Sequence, residues 1–347
     1  MRVVTHKDHG AHYPGTLTEA RKKQVKLTSR IPQVAKGALL AALFATLIPS
    51  ARAAQLDTDA RTAIPHDVQQ IIVVDYRAMQ NSPAAMDLKA RILPPELKQL
   101  EHALKTSGLN ENHDVEELAF AAYRMRSDSD SIRMIGIAQG QFSLPDILAN
   151  FKKNKLKPTL YRTNKLYPMG ASGMLVVFLN PTTMVFGSSD SLKPALDARD
   201  GLAPNFLTNQ EMLGQMTGVD TEPLWSILDQ KGTQYMMRTL LGEASQLTDY
   251  DQVKKRLLGS RYTMNFQNGV KFSLDVATPD TFTAATLSSL LNAAAMYKKV
   301  SGSTAEKTAV DATTIDSSAG QLQVRYESSD SQFQALLQSP LFQSVVK

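Results

Sequence analysis

The chain has 347 residues, with 38 lysines and arginines against 33 aspartates and glutamates, and it contains no cysteine. The lack of cysteine excludes disulfides, thiol nucleophiles, thiolate zinc sites and iron–sulfur clusters. Residues 1–54 carry nine basic and two acidic side chains, which leaves 29 basic and 31 acidic side chains in the remainder. This near-neutral remainder lacks the basic footprint of a nucleic-acid-binding protein.

The N-terminal region has the order of a secretory signal peptide. A basic stretch at 21–26 precedes an apolar run at 37–49, and small residues follow up to Ala54. The apolar run is too short for a bilayer span, which needs about 20 residues. We therefore predict that residues 1–54 are a disordered n-region plus a signal peptide that is cleaved near Ala53-Ala54. The expected location is periplasmic or extracellular. The alternative is an uncleaved N-terminal anchor, with membrane contact only through residues 37–49.

Hydrophobic spacing predicts the elements that follow in chain order. In the first part of the chain, strands are predicted at 68–76, 115–123, 132–139, 161–168 and 174–179, with helices at 82–92 and 95–106. In the second part, the prediction is a strand at 223–229, helices at 233–241 and 246–258, a hairpin of 261–267 with 270–278, a helix at 280–300, a polar linker at 301–308, a strand at 321–327 and a helix at 331–337. Asn268-Gly269 is the strongest hairpin signal.

A unit of strand, polar cap and helix recurs four times. Its predicted helix caps are Ser143, Ser189, Thr278 and Ser329, and each is a side chain that accepts hydrogen bonds from free backbone N–H groups. The spacing within the first pair of caps resembles that within the second pair, which favours two related halves at 64–201 and 219–347. The predicted fold class is α+β, with each half a mainly antiparallel sheet and helices packed on one face.

Chemistry-bearing motifs are scarce after residue 54. His66, His102 and His113 lie on different predicted elements, and none has a neighbour at metal-ligand spacing. The sequence contains no nucleophile elbow, Walker loop or dinucleotide fingerprint. The turn 170–173 only superficially resembles a catalytic serine turn. We assign no catalytic residue, cofactor-binding residue, metal ligand or cofactor.

Four further features have both a structural and a functional interpretation, and in each the structural one is favoured. They are the Ser-Ser-Asp sequences at 188–190 and 328–330 (helix caps or anion sites), the carboxylate pairs Glu116-Glu117 and Asp249/Asp251 (solvated surface or a glycosidase pair), the basic cluster 152–157 (helix C-terminus or anionic lipid contact) and Trp225 (core).

Three segments carry a resemblance to a known group of proteins. They are Ile64–Asp75 (IPHDVQQIIVVD), Ser82-Pro83-Ala84, and Val185–Asp197 with its Gly-Ser-Ser-Asp core. The chain resembles uncharacterised exported bacterial proteins of a duplicated strand–cap–helix type, with a domain of unknown function. The resemblance covers most of residues 64–230 and implies an exported, α+β, duplicated and non-enzymatic protein.

The leading functional expectation is a non-catalytic exported cell-envelope protein that acts as a binding or scaffold module for an unknown envelope protein or ligand. One alternative is an envelope hydrolase with an unrecognised carboxylate or serine site. The other is a lipid or small-molecule carrier, which would be distinguished by a continuous apolar cavity.

Overall fold

A computed structural model describes residues 55–125, 131–170, 173–241 and 250–342. The predicted signal peptide therefore lies outside the described residues. Residues 52–347 form one compact unit. The fold is α+β, built on a large antiparallel sheet, as the sequence predicts. None of the helices within the described ranges is long and apolar enough to cross a membrane.

The described part of the chain contains twelve strands and thirteen α-helices. The strands are β1 Val68–Asp75, β2 Val115–Arg124, β3 Ile132–Gly140, β4 Thr159–Tyr161, β5 Asn164–Met169, β6 Met174–Asn180, β7 Thr183–Gly187, β8 Leu224–Leu228, β9 Gly259–Asn265, β10 Val270–Ala277, β11 Thr313–Ser318 and β12 Gln321–Ser328. The helices are α1 Thr58–Thr62, α2 Tyr76–Gln80, α3 Pro83–Ile92, α4 Pro95–Thr106, α5 Glu111–Asp114, α6 Leu144–Lys153, α7 Ser189–Arg199, α8 Gln210–Met216, α9 Gln230–Leu241, α10 Tyr250–Lys254, α11 Thr281–Ser301, α12 Thr304–Asp311 and α13 Asp330–Leu337. A short 3-10 turn, Phe206–Thr208, precedes α8.

All twelve strands belong to one sheet, in the order β11-β12-β10-β9-β8-β1-β2-β3-β7-β6-β5-β4. The antiparallel pair β1–β8 joins the two parts of the chain at its centre. Outward from this pair, one side runs β1-β2-β3-β7-β6 and the other runs β8-β9-β10-β12-β11. On both sides, three strands that follow one another along the chain lie next to one another in the sheet. A later hairpin then adds to them with its second strand on the inside, β7 before β6 on one side and β12 before β11 on the other. This shared order is what a duplication requires, and the halves 64–201 and 219–347 stay a prediction.

The helices bury the two faces of the sheet unequally. Side chains alternate across each strand, so in the first part of the sheet Ile71 and Ile137 pack under α1, α7 and α8, while Ala138 and Phe186 face α4 and α6. In the second part, α9 and α11 pack on the face that carries Leu274. The opposite face there carries polar side chains, including those of Arg261, Asp275 and Arg325.

Helix starts differ in detail from the predicted caps. Ser329 caps α13 through a capping box, as predicted. Ser188 rather than Ser189 caps α7, and Asp280 rather than Thr278 caps α11. The Ser143 hydroxyl makes no cap bond and instead donates to Asp146. A serine or threonine at the strand–helix junction is therefore a good marker of the junction and a poor marker of the residue that caps the helix.

Three elements differ from those that the sequence predicts. The predicted strand 161–168 is split into β4 and β5 at Arg162, which has a φ of 54°. The predicted linker 301–308 contains the start of α12, because Ser303 and Glu306 form a capping box. Strand β11 was not predicted. The predicted helix 246–258 overlaps residues outside the described ranges, and its described part is α10.

Candidate functional site

An apolar cavity of about 110 Å³ lies between α4 and the sheet. Helix α4 forms because two prolines suit its start and because Leu97, Leu100 and Leu104 recur on one face. These three leucines are nearly buried, whereas Leu118 and Phe120 on the strand beneath are only half-buried. Helix and sheet therefore do not fill the space between them.

A polar cluster stands at the edge of this cavity. It consists of Lys89 from α3, Glu101 from α4 and Glu111 from α5, together with the Tyr76 hydroxyl. Nζ of Lys89 lies 3.3 Å from Oε1 of Glu101 and 3.2 Å from Oε1 of Glu111. It also donates to the Tyr76 hydroxyl at 2.9 Å and lies 4.8 Å from the centre of the tyrosine ring. The Tyr76 hydroxyl donates onward to Oδ1 of Asn112 at 3.3 Å.

The pKa values of the two carboxyl groups move apart. Burial and the neighbouring Glu111 raise the pKa of Glu101. Burial alone would also raise the pKa of Glu111, but hydrogen bonds from Glu101, Tyr76 and Lys89 more than offset it, so that this pKa is lowered. Burial raises the pKa of Tyr76 to about 12. Burial would lower the pKa of Lys89, but its contacts with Tyr76 and Glu111 raise it overall, which keeps the lysine charged.

This arrangement suits a small molecule with an apolar body and a polar head. A dry cavity of about 150 Å³ accepts benzene in other proteins, so a space of this order holds a short hydrocarbon group. Two carboxylates against one ammonium leave the edge of the cavity negative, which favours a cationic head or a hydrogen-bond donor. Because Glu101 retains its proton more readily than Glu111, the pair also has the asymmetry that acid–base chemistry uses.

A second group of carboxylates surrounds Glu117 on β2. Burial, together with the nearby charges of Asp75, Glu116 and Asp57, raises the pKa of Glu117 to about 7, although a backbone hydrogen bond from Gln55 opposes the rise. Its Oε1 accepts the backbone N–H of Gln55 at 3.2 Å. Its Oε2 is buried and has no hydrogen-bond partner among the described residues. The predicted solvated pair Glu116-Glu117 is thus wrong for Glu117, which lies on a strand and is partly buried.

The histidines lie on separate elements. His66, before β1, is 2.8 Å from the Thr208 hydroxyl, and His113 in α5 is 2.9 Å from Asp114. His102 lies on the exposed side of α4, along an open groove of about 620 Å³ between this helix and the β5–β6 turn. Within the part of the chain that the structure describes, no three potential metal ligands come together.

The other features identified in the sequence have structural roles. The turn 170–173 joins β5 to β6, with Ala171 and Ser172 outside the described residues. Ser188 caps α7 in place of the predicted Ser189, whereas Ser329 caps α13 and Trp225 is fully buried in the core as predicted. The basic cluster 152–157 begins in the last turn of α6 and is mostly exposed. Asp249 lies outside the described residues, and its predicted partner Asp251 falls in α10.

The residues at the edge of the cavity were not identified in the sequence. They come from three short elements and carry no motif. The only sequence signal is that Glu101 flanks the leucine face of the predicted helix 95–106 while Lys89 lies in the helix before it. Their convergence depends on the turn between α3 and α4, which residue spacing does not reveal.

No protein-family model and no curated protein matches the chain. Among solved structures, crystal form I of TP0453 has a TM-score of 0.45 at 11% identity, over 84% of this chain and 98% of that chain. Crystal form III of TP0453 has a TM-score of 0.46 at 11% identity, over 82% of this chain and 98% of that chain. Crystal form IV has a TM-score of 0.39 at 11% identity, with coverage of 80% and 95%. A similarity of this degree does not identify a function.

Proposed function

We propose that the chain is an exported, non-catalytic envelope protein that binds a small amphipathic amine. The alkyl part occupies the cavity under α4, and the ammonium group lies against Glu101 and Glu111. The observation that carries the proposal is the 110 Å³ apolar cavity with two carboxylates and one lysine at its edge.

The lining of the cavity supports an apolar ligand body. Leu118 and Phe120 are half-buried strand residues, and no side chain of α4 covers them completely. Partly exposed apolar surface in a concave site gains free energy when a hydrocarbon group displaces water, at about 25 cal/mol per Å². A partly exposed, concave apolar surface of this kind is unnecessary for a protein that serves as a scaffold through its exterior alone.

The charges at the edge support a cationic head. The single ammonium of Lys89 serves both carboxylates, and burial together with the neighbouring Glu111 raises the pKa of Glu101. A second cation beside Glu101 would favour its ionised form. An anionic head would meet two carboxylates and is therefore disfavoured.

The binding test is a calorimetric titration of the purified protein with hexylamine, hexanol and hexanoate, which share one alkyl chain. The expected order of affinity is amine, then alcohol, with no heat from the carboxylate. Leu118→Trp fills the floor of the cavity and should abolish amine binding. Leu160→Trp is the matched control, because Leu160 is an exposed strand residue away from the cavity. Equal binding of all three compounds, or binding that survives Leu118→Trp, would refute the assignment.

Export rests on the basic, apolar and small-residue order of residues 21–54. Cell fractionation followed by intact-mass measurement tests it separately from ligand binding. A soluble envelope protein that begins at Ala54 or Gln55 supports export and cleavage. A full-length protein in the membrane fraction would support the uncleaved anchor instead.

The split pKa values of Glu101 and Glu111 favour one second candidate, an envelope hydrolase. In that case Glu101 would act as the general acid and Glu111 as the ionised partner. The candidate predicts hydrolysis of an envelope substrate that is lost in both Glu101→Gln and Glu111→Gln. The contact with Lys89 argues against this candidate, because the ammonium group favours the ionised form of Glu101, whereas a general acid must carry a proton.

A further inference from the structure

The predicted cleavage site adjoins a partly buried carboxylate. The backbone N–H of Gln55 donates to Oε1 of Glu117 at 3.2 Å, and Oε2 of Glu117 is buried with no hydrogen-bond partner among the described residues. Signal cleavage near Ala53-Ala54 would make either Ala54 or Gln55 the first residue of the mature chain.

The groups around Glu117 add negative charge, and few cationic side chains compensate it. Asp75 lies directly opposite Glu117 on the neighbouring strand. The carboxylate of Asp75 accepts the backbone N–H of Ala78, and that of Asp57 accepts the backbone N–H of Ala60 and the hydroxyl of Thr183. These donors are all neutral. The guanidinium of Arg77 instead pairs with Glu116 at 3.0 Å.

The segment after Gln55 is held firmly against the sheet. Leu56 is 2% exposed and Ala60 is fully buried in the core. The backbone N–H of Asp57 donates to Oε1 of Gln139 at 3.2 Å. These contacts place the start of the processed chain beside Glu117 without requiring any rearrangement of the fold.

We propose that Glu117 is the docking site for the new N-terminus that signal cleavage creates. Cleavage adds water across the peptide bond. The departing segment takes the carboxylate, and the retained chain takes an ammonium group at Gln55 or, one residue earlier, at Ala54. An ammonium at Gln55 takes the place of the backbone N–H that lies 3.2 Å from Oε1 of Glu117, and one at Ala54 is a single residue further along the chain, a Cα spacing of about 3.8 Å. The resulting ion pair fastens the mature chain to β2. This inference rests on the export part of the proposed function and is independent of the amine site.

The test compares two N-termini in the presence and absence of the carboxylate. One form is the processed protein from the envelope. The other begins at Ser50 and keeps five residues ahead of Gln55; it contains the whole compact unit of residues 52–347. In the processed form Glu117→Gln should lower Tm by roughly 3–6 °C, because the variant leaves the ammonium without its partner. In the extended form the same change should leave Tm unchanged or raise it, because it removes an uncompensated carboxylate.

Glu116→Gln is the matched control and should shift both forms equally. An equal drop on Glu117→Gln in both forms would overturn the docking. So would a mass for the processed protein that is 17 Da low, since an N-terminal glutamine that has cyclised has no ammonium. A mass that shows no cleavage near Ala53-Ala54 would instead refute the export proposal on which the inference depends, and the two failures are therefore distinguishable.

Discussion

The Nζ atom of Lys89 lies 3.2 Å from Oε1 of Glu111, although the two residues belong to different helices on either side of α4. The lysine side chain is only 15% exposed, and it reaches Glu101 on α4 as well. One ammonium group therefore ties three helices together at the edge of the apolar cavity. We expect this relationship to govern the stability of the region, and it is the basis of the amine-binding proposal.

Replacing the lysine should destabilise the fold. Lys89→Met leaves two half-buried carboxylates without their cation, and we expect the free energy of unfolding to fall by about 2–3 kcal/mol. Urea unfolding measures this. Arg91→Met on the same helix removes an exposed pair with Asp87 and should cost less than about 0.5 kcal/mol. A similar cost for both variants would contradict the role assigned to Lys89.

The two carboxyl groups should give pH dependences of opposite sign. Glu111 has a pKa below its ordinary 4.5, so its contribution to stability is present above pH 4.5 and is lost as the pH falls through the lowered value. The penalty of Glu111→Gln should therefore be largest at pH 7 and shrink below pH 4.5.

Glu101 has a raised pKa, so its contribution is present below pH 4.5 and is lost as the pH rises. Glu101→Gln should consequently gain stability relative to the native protein as the pH increases. Urea unfolding at pH 4, 5.5 and 7 checks both variants. Parallel pH profiles would show that the two groups do not differ in the folded protein.

The glycine on β3 beneath Phe186 should not tolerate a side chain. A Cβ at Gly136 would stand 2.1 Å from two atoms of the Phe186 ring, which lines the cavity and is 5% exposed. Gly136→Ala should therefore cost about 1–3 kcal/mol through displacement of the ring. In contrast, Gly214→Ala on α8 meets nothing within 4 Å and should stabilise by about 0.5–1 kcal/mol. Thermal unfolding of both variants tests the pair; a stabilised Gly136→Ala protein would contradict the packing.

The carboxylate of Glu306 joins two segments near the C-terminal end of the described chain. It accepts the backbone N–H of Ser303 at 2.6 Å and that of Leu341 at 2.9 Å, and the residue is 3% exposed. Burial opposes the charge, but these hydrogen bonds lower the pKa of Glu306 overall. Glu306→Ala should cost about 1–3 kcal/mol at pH 7, and less as the pH falls below 4.5.

An exposed glutamate provides the comparison for this variant. Glu327 forms a pair with Lys271 in which both side chains are more than half exposed. Glu327→Ala should change the free energy of unfolding by less than about 0.5 kcal/mol at any of these pH values. Urea unfolding of both variants at pH 7 and pH 4 separates the two carboxylates, and a negligible cost for Glu306→Ala would remove the proposed link to Leu341.

Local sequence signals predicted those parts of the fold that depend on local chemistry. Helix α4 runs over Pro95–Thr106 as predicted, because its prolines, its leucine spacing and Gly108 act within a single turn or two. The hairpin at Asn268-Gly269 was also predicted, and both residues have the positive φ that such a turn requires. In both cases, residues that are close in the sequence are sufficient to determine the local structure.

The errors arise where a polar composition conceals a specific interaction. The stretch 301–308 has the composition of a linker, but Ser303 and Glu306 satisfy each other's backbone N–H groups and begin a helix. Arg162 adopts a left-handed conformation without being a glycine, which no composition rule anticipates. The polar cluster at the edge of the cavity was missed for a different reason, since Lys89, Glu101 and Glu111 meet only after three helices have packed.

The measurement that tests the central claim most directly is methyl NMR of the leucines during titration with hexylamine. The account predicts that the methyl signals of Leu97, Leu100, Leu104 and Leu118 shift together and saturate, while those of exposed leucines such as Leu160 and Leu202 stay in place. Shifts that appear only at exposed leucines, or no saturable shift at any of the four, would show that the space under α4 is not a ligand site.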